Sequence, residues 1–325
     1  MSGDNGLVNA AKSRENPEKA IFRTNPHPEN IAADGVVVLH PSGAQVKTLD
    51  KFAVHKPPPS ETGRVISGRS DRARARLMRH LIQVDLEDIA AERKGAKYGA
   101  AHFITLTYPW TDGEPFTDWQ RGKAHLEALR KRIAYDYGLT WGVWVEEFQR
   151  KGALHFHLVV LLPKVVNVAV FRVWLAKAWY EIVGSGNPDH LVHGTMLEAV
   201  YVEQGQPGNL LAYLSKEMGG FKGKRYQMRG FDPETGELLE SGKTWGIWGR
   251  EAFEACKVLV ASIRIKGGEY WQRFKENVSK RFEKSPYLRK VADMNWWGGG
   301  LLYGNGLELL ETLLEGIPAG AWSFT

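Results

Sequence analysis

The stretch Trp144 to Leu162, WVEEFQRKGALHFHLVVLL, constrains the fold more than any other part of the chain. Apolar β-forming residues flank a polar, glycine-containing turn at Arg150-Lys151-Gly152, so the stretch reads as two strands of an antiparallel hairpin. A turn centred near Lys151 sets Glu147 opposite His155 and Val145 opposite His157. Side chains alternate between the two faces of a strand, so His155, His157 and Glu147 share one face while Glu146 points to the other.

Two imidazoles and a carboxylate on adjacent strands can hold one divalent cation and still leave coordination positions for a substrate oxygen. Catalytic sites keep such positions open, whereas structural sites fill them. Read alone, His-Phe-His fits core or cleft histidines with satisfied hydrogen bonds equally well. The register-matched Glu147 favours the metal reading, with His155, His157 and Glu147 converging as ligands.

A chain of 325 residues with 43% hydrophobic content can bury a substantial core, as one main domain with extensions or as two domains. The net charge of +6 suits a polyanionic partner. One cysteine, Cys256, excludes an intramolecular disulfide framework and any multi-cysteine zinc site. No apolar run reaches transmembrane length and the first residues lack a signal-peptide pattern, so no membrane association and a cytoplasmic location are expected.

Residues 1–63 are polar and broken by prolines, with only Gly35–Leu39 strand-like, and read as a flexible or irregular arm. A basic segment, 64–98, follows. Its arginines, Arg69, Arg72 and Arg76 among them, lie close together, and a helix is expected from Ser70 to about Glu92. Such a charge run fits a solvated helix face or phosphate contact. Phe103, Thr105 and Thr107 alternate with Ile104, Leu106 and Tyr108 in the next strand, which Pro109 stops. Thr117 is a candidate cap for a helix ending at Gly138. After the hairpin, Asn167 caps a helix carrying Val170, Trp174, Ala178 and Ile182 at helical spacing. His190 and His193 fall in an expected loop without a third metal partner, and Met196–Glu203 alternates as a strand. Asn209 caps a short helix that ends at Gly219-Gly220 and sets Tyr213 and Lys216 on one face.

Phe103-Ile-Thr-Leu-Thr107, then Glu147 with His155-Phe-His157, then Tyr213-Leu-Ser-Lys216 resemble the three motifs of the HUH-type rolling-circle replication initiators, the Rep endonucleases. The resemblance covers roughly residues 100 to 220 and is most specific at Gly152-Ala-Leu-His-Phe-His-Leu158. Motif order separates it from conjugative relaxases, in which the tyrosine comes first. One tyrosine stands in the third motif, since Glu217 occupies the position four residues on, which points to the single-tyrosine type.

The resemblance implies an α+β domain at about 99–250, a central antiparallel sheet of about five strands with packed helices and the histidine pair on a middle strand, followed by a helical extension over 251–325. It further implies an endonuclease that nicks and rejoins single-stranded or hairpin origin DNA. In that reading Mg²⁺ or Mn²⁺ sits on His155, His157 and Glu147, Tyr213 is the nucleophile, and Lys216 orients DNA or favours the tyrosinate. Arg69, Arg72, Arg76, Arg150, Lys151, Lys222, Lys224 and Arg225 are the expected DNA contacts. A host helicase and polymerase are expected partners, because the chain carries no Walker-type phosphate loop of its own. Two alternatives are a transposase of the same chemistry and a non-catalytic, basic nucleic-acid-binding module.

Overall fold

The hairpin forms in the register that the turn at Lys151 dictates. In the computed structural model, which describes residues 34–41, 43–49, 71–85, 88–93, 95–149, 152–201, 235–237, 241–284, 300–303 and 306–325, Glu147 pairs with His155 and Val145 with His157. The strands of this hairpin are β4 (Trp141–Phe148) and β5 (Leu154–Asn167). Gly152 takes a φ of 86° in the connection, a left-handed conformation that costs glycine little.

Three more strands complete the sheet: β3 (Tyr98–Thr107), β6 (Thr195–Ala199) and β7 (Trp245–Trp248). Their order is β6-β3-β5-β4-β7, every pair is antiparallel, and the histidine strand lies in the middle. This is the central five-stranded antiparallel sheet with packed helices that the sequence leads one to expect.

Both faces of the sheet are covered, which is why its strands read as nearly continuous apolar runs. On one face Ile104, Leu106, Phe156, Leu158 and Val160 pack against α2 (Trp119–Asp136) and α3 (Val168–Val183). On the other, Phe103, Val143, Val145 and Val159 meet Leu77, Met78 and Leu81 of α1 (Asp71–Leu81) and Phe253 of α5 (Arg250–Ala255). The caps explain the helix limits. Asn167 accepts hydrogen bonds from the N–H groups of Ala169 and Val170, as expected, whereas Asp118 rather than Thr117 caps α2 by accepting from the Arg121 N–H.

Several expectations are corrected. α1 ends at Leu81 rather than near Glu92, because Val84 bridges to Lys257 and the chain leaves the helix there. The strand expected over Met196–Glu203 is β6, one residue earlier at its start and ending at Ala199. The expected loop holding His190 and His193 contains a short helix, α4 (Pro188–His193), capped by Asn187.

The largest difference lies at the two ends of the chain. β1 (Asp34–His40) and β2 (Gly43–Leu49) form a hairpin inside the expected irregular arm. They join β8 (Ala261–Ile265), β9 (Gly300–Tyr303) and β10 (Trp322–Phe324) in a second antiparallel sheet, ordered β10-β8-β1-β2-β9. The extension beyond residue 251 is therefore not purely helical. Its α6 (Gly268–Lys284) and α7 (Gly306–Leu313) cover the sheet, burying Trp271, Phe274, Val278 and Leu313 against Val37, Leu39, Ile263 and Ile265. Local patterning could show the strand-like Gly35–Leu39 but not a partner more than 200 residues away.

Candidate functional site

At one end of the central sheet, register brings the three expected ligands onto the face shared with α1 and α5. His155 and His157 are two apart on β5, and Glu147 stands opposite His155 on β4. Glu147 Oε2 lies 3.5 Å from His157 Nε2, and the two imidazole rings are 4.5 Å apart between centroids. Glu147 is 1% and His157 5% exposed, so these polar groups sit in a low-dielectric setting where a bound charge interacts strongly. Burial, and then the neighbouring His157, lower the His155 imidazole to about 3, which keeps that ring neutral at physiological pH.

Two imidazoles and a carboxylate are a donor set suited to a divalent first-row cation. His155 Nδ1 is buried without a hydrogen-bond partner, an arrangement that costs free energy unless something is bound there. Among the described residues no three His, Cys, Asp or Glu side chains already form a closed metal cage. Glu147 and His157 come within 3.5 Å of each other, and the donors fit a cation by type and by common face rather than as a preformed set.

The two ends of the His157 ring are both engaged. Thr105, directly across from His157 on β3, places its Oγ1 3.1 Å from His157 Nδ1. Phe103 stacks on the same ring at 5.7 Å between centroids. Two residues further along, the Thr107 carbonyl accepts hydrogen bonds from Trp179 Nε1 at 2.8 Å and His190 Nε2 at 3.0 Å. His190 Nδ1 in turn accepts from the Ser185 hydroxyl at 2.9 Å. Carrying the Nε2 proton, His190 anchors the strand end that presents Thr105. None of this is visible in the sequence without the pairing of β3 with β5.

Glu146 points to the opposite face, as the alternation of β4 requires. There Lys123 of α2 donates to Glu146 Oε2, with its ammonium 4.7 Å from the centre of the Trp144 ring. Burial, and then the charge of Lys243, pull the Lys123 ammonium down to about 7, while the Glu146 carboxylate works in the other direction. This buried ion pair lies directly behind the candidate site and was not foreseen in the sequence reading.

Of the expected DNA contacts, Arg76 is exposed on α1 and Arg72 lies in the same helix. Arg69, Arg150, Lys151, Lys222, Lys224 and Arg225 lie outside the described residues, as do Tyr213 and Lys216.

Fold and site together define a class: an α+β protein with a buried histidine–carboxylate cluster at one end of a five-stranded antiparallel sheet. Residues 101–218 match a family model of replication-associated proteins, the ORF2 type. The match takes in β3 through β6, and therefore Thr105, Glu147, His155 and His157, and reaches Tyr213 and Lys216. It covers just over a third of the chain and makes this segment similar to replication-associated proteins. Neither a curated protein nor a solved structure matches the chain. Among the described residues no helix is long and apolar enough to cross a membrane.

Proposed function

We propose that the chain is a replication initiator that nicks and rejoins single-stranded origin DNA by metal-assisted transesterification, starting rolling-circle replication. The observation that carries this reading is the placement of Glu147, His155 and His157 on one buried face, inside the segment similar to replication-associated proteins. A structural ion would serve a binding module equally well. The family match and the tyrosine that follows the histidines favour chemistry.

His155, His157 and Glu147 would hold Mg²⁺ or Mn²⁺. When bound, the cation would offset charge on the oxygens of the scissile phosphodiester. The Tyr213 hydroxyl loses its proton and its oxygen forms a bond to phosphorus. The bond from phosphorus to the 3′-oxygen breaks, and that oxygen leaves as a hydroxyl once protonated. The products are a 5′-phosphotyrosyl enzyme and a free 3′-end from which a polymerase extends. A later 3′-hydroxyl attacks the phosphotyrosyl linkage, restoring the tyrosine and closing a strand. One phosphodiester is exchanged for another at every step, so neither nicking nor joining consumes a nucleoside triphosphate.

A tyrosine hydroxyl with an ordinary pKa of about 10 is a weak nucleophile at neutral pH, and a nearby cation such as the Lys216 ammonium favours the tyrosinate. The basic residues from Arg69 to Arg76, together with Arg150, Lys151, Lys222, Lys224 and Arg225, supply phosphate contacts that are independent of sequence. In this reading a host helicase separates the strands and a host polymerase extends the free 3′-end.

The reading is tested by incubating the protein with single-stranded oligonucleotides tiled across its own replicon, with Mn²⁺ or with EDTA. Cleavage at one position is expected with Mn²⁺. EDTA and the His157→Ala substitution should each abolish it while leaving salt-sensitive DNA binding in place. Binding without cleavage of any oligonucleotide would make the chain a nucleic-acid-binding module instead.

A further inference from the structure

We infer that Thr105 is a positioning residue for the candidate metal site, holding His157 with its Nε2 towards Glu147 in both the metal-free and the metal-loaded protein. The inference rests on the metal reading above and assigns a role to a side chain that the strand pattern alone marks only as part of a sheet.

The geometry leaves the ring little choice. Thr105 Oγ1 is 3.1 Å from Nδ1, Glu147 Oε2 is 3.5 Å from Nε2, and Phe103 stacks on one face of the imidazole. Thr105 is 9% exposed and β3 is held just beyond it by Trp179 and His190, so its hydroxyl cannot drift away. A neutral imidazole carries one proton on one of its two nitrogens. With that proton on Nε2, it points at the Glu147 carboxylate, and the threonine hydroxyl donates to the bare Nδ1.

A cation on Nε2 requires the lone pair there, so the proton must reside on Nδ1. Threonine Oγ1 then accepts from Nδ1–H. The proton count of the ring is unchanged, because one tautomer is exchanged for the other. A hydroxyl both donates and accepts, so the same 3.1 Å contact serves both forms. An aliphatic side chain of the same shape serves neither, and leaves a buried ring nitrogen without its partner. Ligating histidines generally depend on such a partner at the other ring nitrogen, and its loss lowers metal affinity by roughly 10- to 100-fold.

The test uses full-length wild type, Thr105→Val and Thr105→Ser. Mn²⁺ affinity is measured by calorimetry and by the loss of the free Mn²⁺ resonance signal. ¹⁵N shifts of the His157 ring are recorded in the metal-free proteins. Thr105→Val should weaken Mn²⁺ binding by about 10- to 100-fold and change the tautomer balance of His157, whereas Thr105→Ser should stay near wild type. The thermal midpoint without metal shows that each variant folds. If Thr105→Val folds and binds Mn²⁺ as tightly as wild type, the positioning role is wrong and the metal reading stands. If the wild type takes up no Mn²⁺, the metal reading falls and this inference with it. A Thr105→Val protein that does not fold moves the decision to Thr105→Ala and Thr105→Ser. Equal affinity in those two overturns the role, while weaker binding by the alanine variant alone supports it.

Discussion

At the scale of single residues, the alternation of one strand separates two glutamates that the sequence sets side by side. Glu147 faces the histidines and Glu146 faces Lys123, and both are almost fully buried. A buried ion pair adds little net stability, because desolvation cancels much of the attraction, but removing one partner strands the other charge. Lys123→Met should therefore cost about 3 to 5 kcal/mol in a urea titration, and adding Glu146→Leu should restore most of it. A Lys123→Met protein as stable as wild type would show that Glu146 is not charged there. The candidate ligands were legible at this scale because a short turn fixes a hairpin register within about ten residues of sequence. Thr105 was not, since its partner His157 lies on a strand reached only after a helix and another strand, and only the β3–β5 pairing joins them.

At the scale of elements, what could be read was what depends on near neighbours. Side-chain capping by Asn167, the alternation of β3 and the β4–β5 hairpin all follow from contacts within a few residues. The second sheet does not. β1 shows its alternation, yet its other neighbour is the five-residue β8, set between two helices, and β9 is only four residues long in a glycine-rich tail. Tertiary pairing, not propensity, makes those strands. Gly35 shows how tightly the pieces fit. A Cβ there would lie 2.1 Å from Cε3 of Trp271, which is itself buried and stacked on Phe274 at 5.1 Å. Gly35→Ala should lower stability by about 1 to 3 kcal/mol through overpacking, as read from the thermal or urea midpoint. Gly320→Ala, where an added Cβ meets nothing within 4 Å, should leave the midpoint nearly unchanged. Equal effects at the two positions would contradict the packing of α6 on β1.

At the scale of the whole molecule, the two ends of the chain fold together and are tied to the central sheet by residues 257 to 260. Lys257 bridges to Val84, and the Val258 N–H donates to the Gln83 carbonyl just past α1. The Val260 N–H donates to the Leu39 carbonyl on β1, and His40 Nδ1 donates to the Val258 carbonyl at 3.0 Å. Gln45 Nε2 then donates to His40 Nε2 at 2.9 Å, so a buried polar chain connects this segment with β2. The second sheet lies outside residues 101–218, while the histidines, Glu147 and Tyr213 lie inside them.

The central claim is that this inner segment breaks and reforms a phosphodiester through Tyr213. The most direct measurement is to incubate the protein with labelled single-stranded origin DNA and Mn²⁺, resolve it on a denaturing protein gel, and sequence any modified peptide by mass spectrometry. The account predicts a labelled adduct on the peptide carrying Tyr213, absent in Tyr213→Phe and absent without metal. DNA that binds but never becomes covalently attached, or an adduct on another residue that survives Tyr213→Phe, would contradict it.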